Sequence, residues 1–287
     1  MTAAEFTYSV LLRPKPLRMA ANSILRALSP RSVVVSQATI ILNPRDPVIS
    51  GALAFGLYEV DETKVFQRLC KPGMTFLDVG ANVGYYTALA MRALGPKGRI
   101  VSLEPDPDSF QYLTQTIQAN VGATVSSVNK AASDHAGRAT LYTSADNRGD
   151  HRLYQNDLAS GQCDVEVQPV DEILAGLGIS QVDLVKMDVQ GFEGKVIAGM
   201  QQLLTGNRRM AVIFEFWPNG LDQAGSDATA LLANLRELGF DLFEIASGGS
   251  LRSLENPSAL IASLPGRQYT NLVAFKGYED VIGGFGA

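Results

Sequence analysis

Four acidic residues, Asp78, Glu104, Asp188 and Glu215, stand at or near the ends of short apolar runs, in TFLDVG, IVSLEP, DLVKMD and AVIFEFW. In open α/β sheets ligands bind outside the carboxyl ends of the strands. Carboxylates placed there can meet a cationic ligand, hold sugar hydroxyls or take a proton.

The stretch FLDVGANVGYYT, residues 76–87, runs from a strand through a glycine turn into a helix. A dinucleotide fingerprint needs GxGxxG, because its second glycine lets backbone approach a pyrophosphate. Here Asn82 holds that place between Gly80 and Gly84, and Tyr85 follows. A Walker A loop is also absent. Asp78, just before the turn, repels a diphosphate and favours an ammonium. Glu104, closing the next strand, stands where an acidic side chain accepts from ribose hydroxyls. Together they suit an aminoacyl nucleoside, S-adenosylmethionine, better than NAD.

Strand parity puts Lys186 and Asp188 on one face, with Asp188 at the carboxyl end and Glu215 at similar height on a neighbouring strand. A lysine inside a buried strand needs a partner, and Asp188, Glu215 or both are the expected ones. Asp188 is the leading candidate for a general base, with Lys186 read equally as a structural ion pair. His151, in the polar stretch NRGDHRLY beside Arg152 and Tyr154, is a second candidate base because imidazole titrates near neutrality. His135 reads as a turn residue, and Glu193 as a helix-start acid stabilised by the dipole. Trp217 and Tyr58 are candidate walls for an acceptor. Asp188 and Glu215 lack a third well-placed ligand, so no metal is assigned.

Apolar strands alternate with helices of about ten to fifteen residues from residue 74 onward, the pattern of βαβ units and a parallel sheet. A helix is expected over FEGKVIAGMQQLL, and an antiparallel strand over TNLVAFKG. Residues 1–56 read as an extension of β-like pieces broken by prolines, residues 57–287 as the main domain, and residues 133–170 as an irregular insertion. In a chain of 287 residues with net charge -5, only RPKPLR, residues 13–18, comes near a basic patch, so nucleic acid is not the expected partner. Two distant cysteines suggest neither a disulfide framework nor a zinc site. No signal-peptide pattern or membrane-length apolar run is seen, and the cytoplasm is the expected compartment. Nothing in the pattern sets the oligomeric state.

The segments FLDVGANVGYYT, VSLEPDP, NKAASDHAGRATLY, VQPVDEIL and VDLVKMDVQGFEGKVIAGM, in that order, resemble the FkbM-type family of class I S-adenosylmethionine-dependent methyltransferases. The likeness spans about residues 56–275 and includes GLYEVDE before the first helix. It implies a Rossmann-like α/β fold with a seven-stranded, mostly parallel sheet containing an antiparallel strand, and methylation of a hydroxyl on a sugar, glycan or polyketide-type molecule. By that resemblance Asp78, Gly80, Asn82, Gly84 and Tyr85 line the methionine part of the cofactor. Glu104 with Pro105 holds the ribose, residues 129–132, with Asn129 and Ala131, pass the adenine, and Asp188 borders the cofactor. Many relatives carry Glu where this chain has Gln190. Methylation of a nitrogen on a small molecule or protein is the alternative; no Asp/Asn-Pro-Pro-aromatic segment for nucleic-acid amino groups follows the fourth strand. An NAD-linked oxidoreductase and a non-catalytic binding module are the readings from other classes.

Overall fold

The structure is a computed structural model that describes residues 30–144, 148–155 and 159–285. The basic run at residues 13–18, most of the leading extension before the first strand, and part of the polar stretch around His151 lie outside the described residues.

A hairpin of β1 (Ser32–Val35) and β2 (Ala38–Ile41) comes first. The main sheet then takes β3 (Thr75–Val79), β4 (Arg99–Leu103), β5 (Thr124–Val128), β9 (Leu184–Met187), β10 (Met210–Phe216), β11 (Asp241–Ala246), β12 (Ser250–Ser253) and β13 (Thr270–Lys276), in the order β12-β11-β13-β10-β9-β3-β4-β5. Strands β5, β4, β3, β9 and β10 are mutually parallel. β13 lies antiparallel between β10 and β11, as expected for TNLVAFKG, although a short helix, Pro257–Ser263, which the sequence pattern did not show, precedes it. The expected seven strands are therefore present, and the short antiparallel edge strand β12 adds an eighth. The insertion forms its own three-stranded sheet, with β8 (Gly161–Gln168) between β6 (Ala131–Ala132) and β7 (Gly137–Thr143).

Alternation along the strands sorts the core onto two faces. Leu77, Val101, Val185, Val212 and Phe214 pack on one, and Phe76, Ile100, Leu184, Ile213 and Phe275 on the other. The second face is covered by the helix Val60–Leu69, which buries Val65, Phe66 and Leu69, each worth roughly 1.5–3 kcal/mol. The phenyl rings of Phe66 and Phe76 meet edge-on at 5.0 Å. Asp78, Lys186 and Glu215 share the parity of Phe76, Leu184 and Ile213. The polar groups therefore continue this covered face at its carboxyl edge, under the start of the helix.

Two elements differ from the sequence expectation. The segment after β2, read as β-like, contains the helix Pro47–Ala54. Asp46 caps it by accepting from the amides of Val48 and Ile49 at 3.2 and 3.0 Å, and Pro47 supplies a preset first helical residue. The helix expected across residues 192–204 is instead two short ones, Glu193–Ala198 and Gln201–Gly206. They break at Gly199, where a Cβ would stand 1.9 Å from the Ser133 carbonyl oxygen. Close backbone crossing requires glycine there and overrides the helical periodicity.

The hairpin is tied to the main sheet's helices. Thr39 and Asn120 exchange bonds of 2.9 and 2.6 Å, Thr116 accepts from the Ile41 amide, and Ile40 is fully buried. Cys70 is buried and Cys163 half-buried, both as free thiols. Among the described residues no helix is long and apolar enough to cross a membrane.

Candidate active site

The turn after β3 is shaped by contacts that a side chain would block. Gly80 has φ +81, and a Cβ on it would stand 2.0 Å from the Asp188 carbonyl oxygen. The amides of Gly80 and Ala81 donate to the Leu103 carbonyl at 2.9 and 3.0 Å, drawing the turn against the end of β4. Asn82 is left-handed at φ 49, and its amide donates to Glu104 Oε2 at 2.8 Å. Gly84 starts the helix Tyr85–Leu94 at φ 87, its Cα so near Leu113 that a Cβ would meet that side chain at 2.8 Å.

Around this turn lies an open cleft of about 660 Å³ including its mouth, lined by Gly80, Asn82, Glu104, Pro105, Ala131 and Asp188. An inner lobe shares Tyr58, Gly80, Asn82 and Asp188 with it and adds Asp78, Glu59, Tyr85, Tyr86 and Lys186. Most of the residues expected at the cofactor thus converge. Gly84 and Asn129 stand behind the surface: Asn129 donates to the carbonyls of Glu104 and Pro105 at 2.7 and 3.1 Å and braces that corner. Tyr85 reaches the inner lobe, where its hydroxyl meets Thr63 Oγ1 at 3.0 Å.

Glu104 is buried, with its oxygens taken by the amides of Asn82 and Asp106, each at 2.8 Å. Burial pushes its carboxyl up to about 8, against the two amides that favour the charged form and with Asp106 adding repulsion. Asp78 accepts from Thr87 Oγ1 at 2.6 Å, and Thr87 in turn meets Ser102 Oγ at 2.7 Å. Burial raises Asp78 to about 6, while Thr87 and Lys186 favour its ionised form.

Lys186 is 2% exposed, and its ion-pair partner is neither Asp188 nor Glu215, as the strand parity suggests, but Glu59, with Nζ 3.5 Å from Oε2. Glu59 comes from the start of the helix Val60–Leu69, which lies over this face of the sheet, and strand neighbours alone do not reveal such a group. Burial works against the Lys186 ammonium. Even so, Glu59 and then Asp188 hold its pKa above the ordinary lysine value. The ammonium also sits 5.2 Å from the centre of the Tyr86 ring.

Asp188 lines both lobes, and its Oδ1 accepts from Gln190 Nε2 at 2.7 Å. Burial raises its pKa, with Lys186 opposing. Glu215, 8% exposed, follows by one residue the last paired positions of β9 and β10, Met187 and Phe214. Burial, then the charge of Asp188, lifts its carboxyl far above the usual range. Glu193 is fully buried. Its Oε1 accepts from the Val189 amide at 3.2 Å, and burial raises it to about 8. Among the described residues no group of three or more His, Cys, Asp or Glu is arranged to hold a metal ion.

His151 is not a solvent-facing loop histidine: its side chain is 8% exposed and its Nδ1 lies 3.7 Å from Asp106. Burial lowers its pKa, with Asp106 opposing. It lines the cleft beside Arg148, which bridges to Asp106 at 2.5 Å and to Asp108 at 3.0 Å. His135 lies outside the cleft lining and pairs with Asp134 at 2.7 Å. Trp217 is buried, donates to the Gly266 carbonyl at 2.7 Å and carries the Arg152 guanidinium 4.6 Å from its ring centre. Tyr58 alone of the two expected wall aromatics lines the cleft.

Asn82 Oδ1 is a buried acceptor with no donor among the described residues, on the wall of both lobes. An acceptor of that kind, together with Asp78 and Glu104, fits a ligand bearing an ammonium group and hydroxyls.

A parallel sheet of this order, with an acid-glycine turn after β3 and a ribose-type acid after β4, defines a nucleoside-binding domain of the methyltransferase type. Residues 78–242 match the methyltransferase FkbM domain, more than half of the chain, and the protein belongs to that family. The matched family is one of methyltransferase domains, and an NAD-linked reading is not favoured beside it, in keeping with the missing fingerprint glycine. The chain is 30% identical over 160 residues to the 2-O-methyltransferase NoeI of Sinorhizobium fredii, covering 50% of this chain and 65% of that one. It is 24% identical over 222 residues to the AMB antimetabolite synthetase AmbE of Pseudomonas aeruginosa, covering 64% of this chain and 10% of that protein. The chain therefore spans less than two thirds of the length of either relative. A TehB-like methyltransferase of Corynebacterium glutamicum aligns at 13% identity and a TM-score of 0.42 over 79% of this chain and 92% of its own. An O-methyltransferase of Thermotoga maritima aligns at 13% and 0.39 over 85% and 77%. The fold is defined by its strand order, independently of such distant likenesses.

Glu59 and Arg148 line the cleft although no role was read for either from the sequence. For Glu59 the signal was at hand, in the family-like segment GLYEVDE. For Arg148 the only cue was its place two residues from Asp150 in a polar insertion.

Proposed function

We propose that this protein transfers the methyl group of S-adenosylmethionine to a hydroxyl oxygen of a sugar or glycan, with Asp188 as general base. The observation that carries this reading is the position of Asp188, at the carboxyl end of a central strand and on the wall of both lobes. The relative named as a 2-O-methyltransferase supports oxygen as the accepting atom.

The bound cofactor supplies an electrophilic methyl carbon. The chain's part is to hold the acceptor in line and remove its proton. Glu104 holds the ribose, with Pro105 and Ala131 beside it; Asp78 and Asn82 hold the methionine end; His151, close to Asp106, belongs to the nucleoside side of the cleft. Gln190 occupies Asp188 Oδ1, which leaves Oδ2 to accept the hydroxyl proton. Burial raises the pKa of Asp188, with Lys186 opposing, which makes the carboxylate a stronger base than an exposed aspartate.

The test incubates the protein with methyl-labelled cofactor and a panel of oligosaccharides, reading added methyl groups by mass spectrometry and their position by NMR. An O-linked methyl on a sugar ring is expected. Label on nitrogen, or none while S-adenosylhomocysteine still raises Tm, overturns the acceptor reading. S-adenosylhomocysteine is expected to raise Tm by mass action and NAD to leave it unchanged.

A further inference from the structure

The inner lobe has an excess of negative groups. Glu59, Asp78 and Asp188 all line it, and among the described residues Lys186 is the only cationic side chain on its wall. Lys186 stands 3.5 Å from Glu59, so one ammonium serves three carboxylates. Asn82 adds to the same wall a buried oxygen that no donor among the described residues reaches. Such a lobe calls for a cation that also donates hydrogen bonds.

Glu59 is held in an unfavourable backbone state to be there. It adopts φ 40 and ψ 51 at the start of the helix Val60–Leu69, a left-handed conformation that costs a residue with a Cβ roughly 1–2 kcal/mol. Its side chain does not cap its own helix, the usual use of a polar group at that position. It turns inward, and Tyr86 donates to its Oε2 at 2.6 Å. Tyr86 and Lys186 thus fix the carboxylate from the sheet side, and its neighbour Tyr58 packs edge-on against Tyr85 at 5.1 Å. Non-glycine strain of this kind persists only where the surroundings over-determine it.

Resting on the cofactor reading above, we propose that Glu59, together with Asp78, binds the α-ammonium group of the cofactor's methionine moiety. Tyr86 and Lys186 act as positioning residues for the Glu59 carboxylate. The segment before β3, outside residues 78–242 of the family match, is therefore part of the donor site.

The experiment measures the affinity of S-adenosylhomocysteine and of methylthioadenosine, which lacks the amino-acid part, by calorimetry for wild type, Glu59→Gln and Tyr86→Phe. Glu59→Gln is expected to weaken S-adenosylhomocysteine about tenfold to a hundredfold, the range for a hydrogen bond to a charged group, and to leave methylthioadenosine within about twofold. Tyr86→Phe is expected to cause a smaller loss with the same selectivity. Unchanged affinity for S-adenosylhomocysteine in a Glu59→Gln protein that binds methylthioadenosine overturns the assignment, as does an equal loss for both ligands. If Glu59→Gln does not fold, Tyr86→Phe decides by the same comparison. Failure of wild type to bind either ligand overturns the cofactor reading itself, a result distinct from the other two.

Discussion

The side-chain amide of Gln190 donates to Asp188 Oδ1 at 2.7 Å, while the main-chain carbonyl of Gln190 accepts from the Tyr154 hydroxyl at 2.9 Å. Gln190 holds φ 52, so a strained residue connects the end of β9 to the insertion loop. The amide orients the carboxylate without adding a second negative charge beside it, which a glutamate at this position does.

Asp188→Asn removes the proposed base and keeps the shape. Its expected effect is a fall in kcat of about 10²–10⁴-fold, with affinity for S-adenosylhomocysteine changed less than about tenfold. Gln190→Ala, which removes only the orienting bond, is expected to lose about tenfold or less in kcat. Methyl-transfer rates alongside calorimetry check both.

Lys186 is buried and pairs with the half-buried Glu59, so removing one partner is expected to cost more than removing both. Lys186→Met is expected to destabilise by about 3–5 kcal/mol, because it leaves buried carboxylates without their counter-charge. Adding Glu59→Gln is expected to recover about 1 kcal/mol or more. Urea titration of the two single variants and the double variant measures the coupling; additive losses contradict the pairing.

Gly80 and Gly95 both have positive φ, +81 and +65, but only Gly80 has backbone in the way of a Cβ. Gly95→Ala is expected to cost about 1–3 kcal/mol, the strain alone, because φ 65 with ψ -173 is a region that essentially only glycine adopts. Gly80→Ala adds to its own strain the clash with the Asp188 carbonyl and is expected to cost about 3 kcal/mol or more. Denaturation midpoints of the two variants separate the two effects.

Burial lifts Asp46 and Asp78 to about 6 and Glu104 and Glu193 to about 8. For each, the folded state binds the proton more tightly than the unfolded chain. Their contribution to stability is therefore full below the ordinary carboxylate range and is lost as pH rises through the folded values. Tm is expected to fall between pH 5 and about 9, and Glu193→Gln to flatten the upper part of that fall. Thermal melts at constant ionic strength test this; a Tm that rises over the same range contradicts it.

The turn chemistry was legible in the sequence because it is local. Asp78, Gly80 and Gly84 lie within one strand, turn and helix start, and Glu104 closes the next strand, so period and residue type suffice to place them. The helix Pro47–Ala54 had its own local sign in the Asp46-Pro47 pair, a cap and a first helical residue, which the surrounding β-like residues obscured. His151 lies in a polar stretch that gives no sign of burial, yet its side chain is buried beside Asp106. Trp217 follows β10 as expected, but its indole turns to the Gly266 carbonyl, a contact that no local pattern signals.

By itself, then, the sequence determined the alternation of strands and helices and the acid-glycine turn. Only the tertiary structure decided which groups share the cleft. Parallel strands joined by crossovers bring the ends of β3, β4, β9 and β10 side by side although they lie far apart along the chain. The helix that covers them then delivers Glu59 to Lys186, a pairing set by packing across the sheet rather than by spacing within any one element.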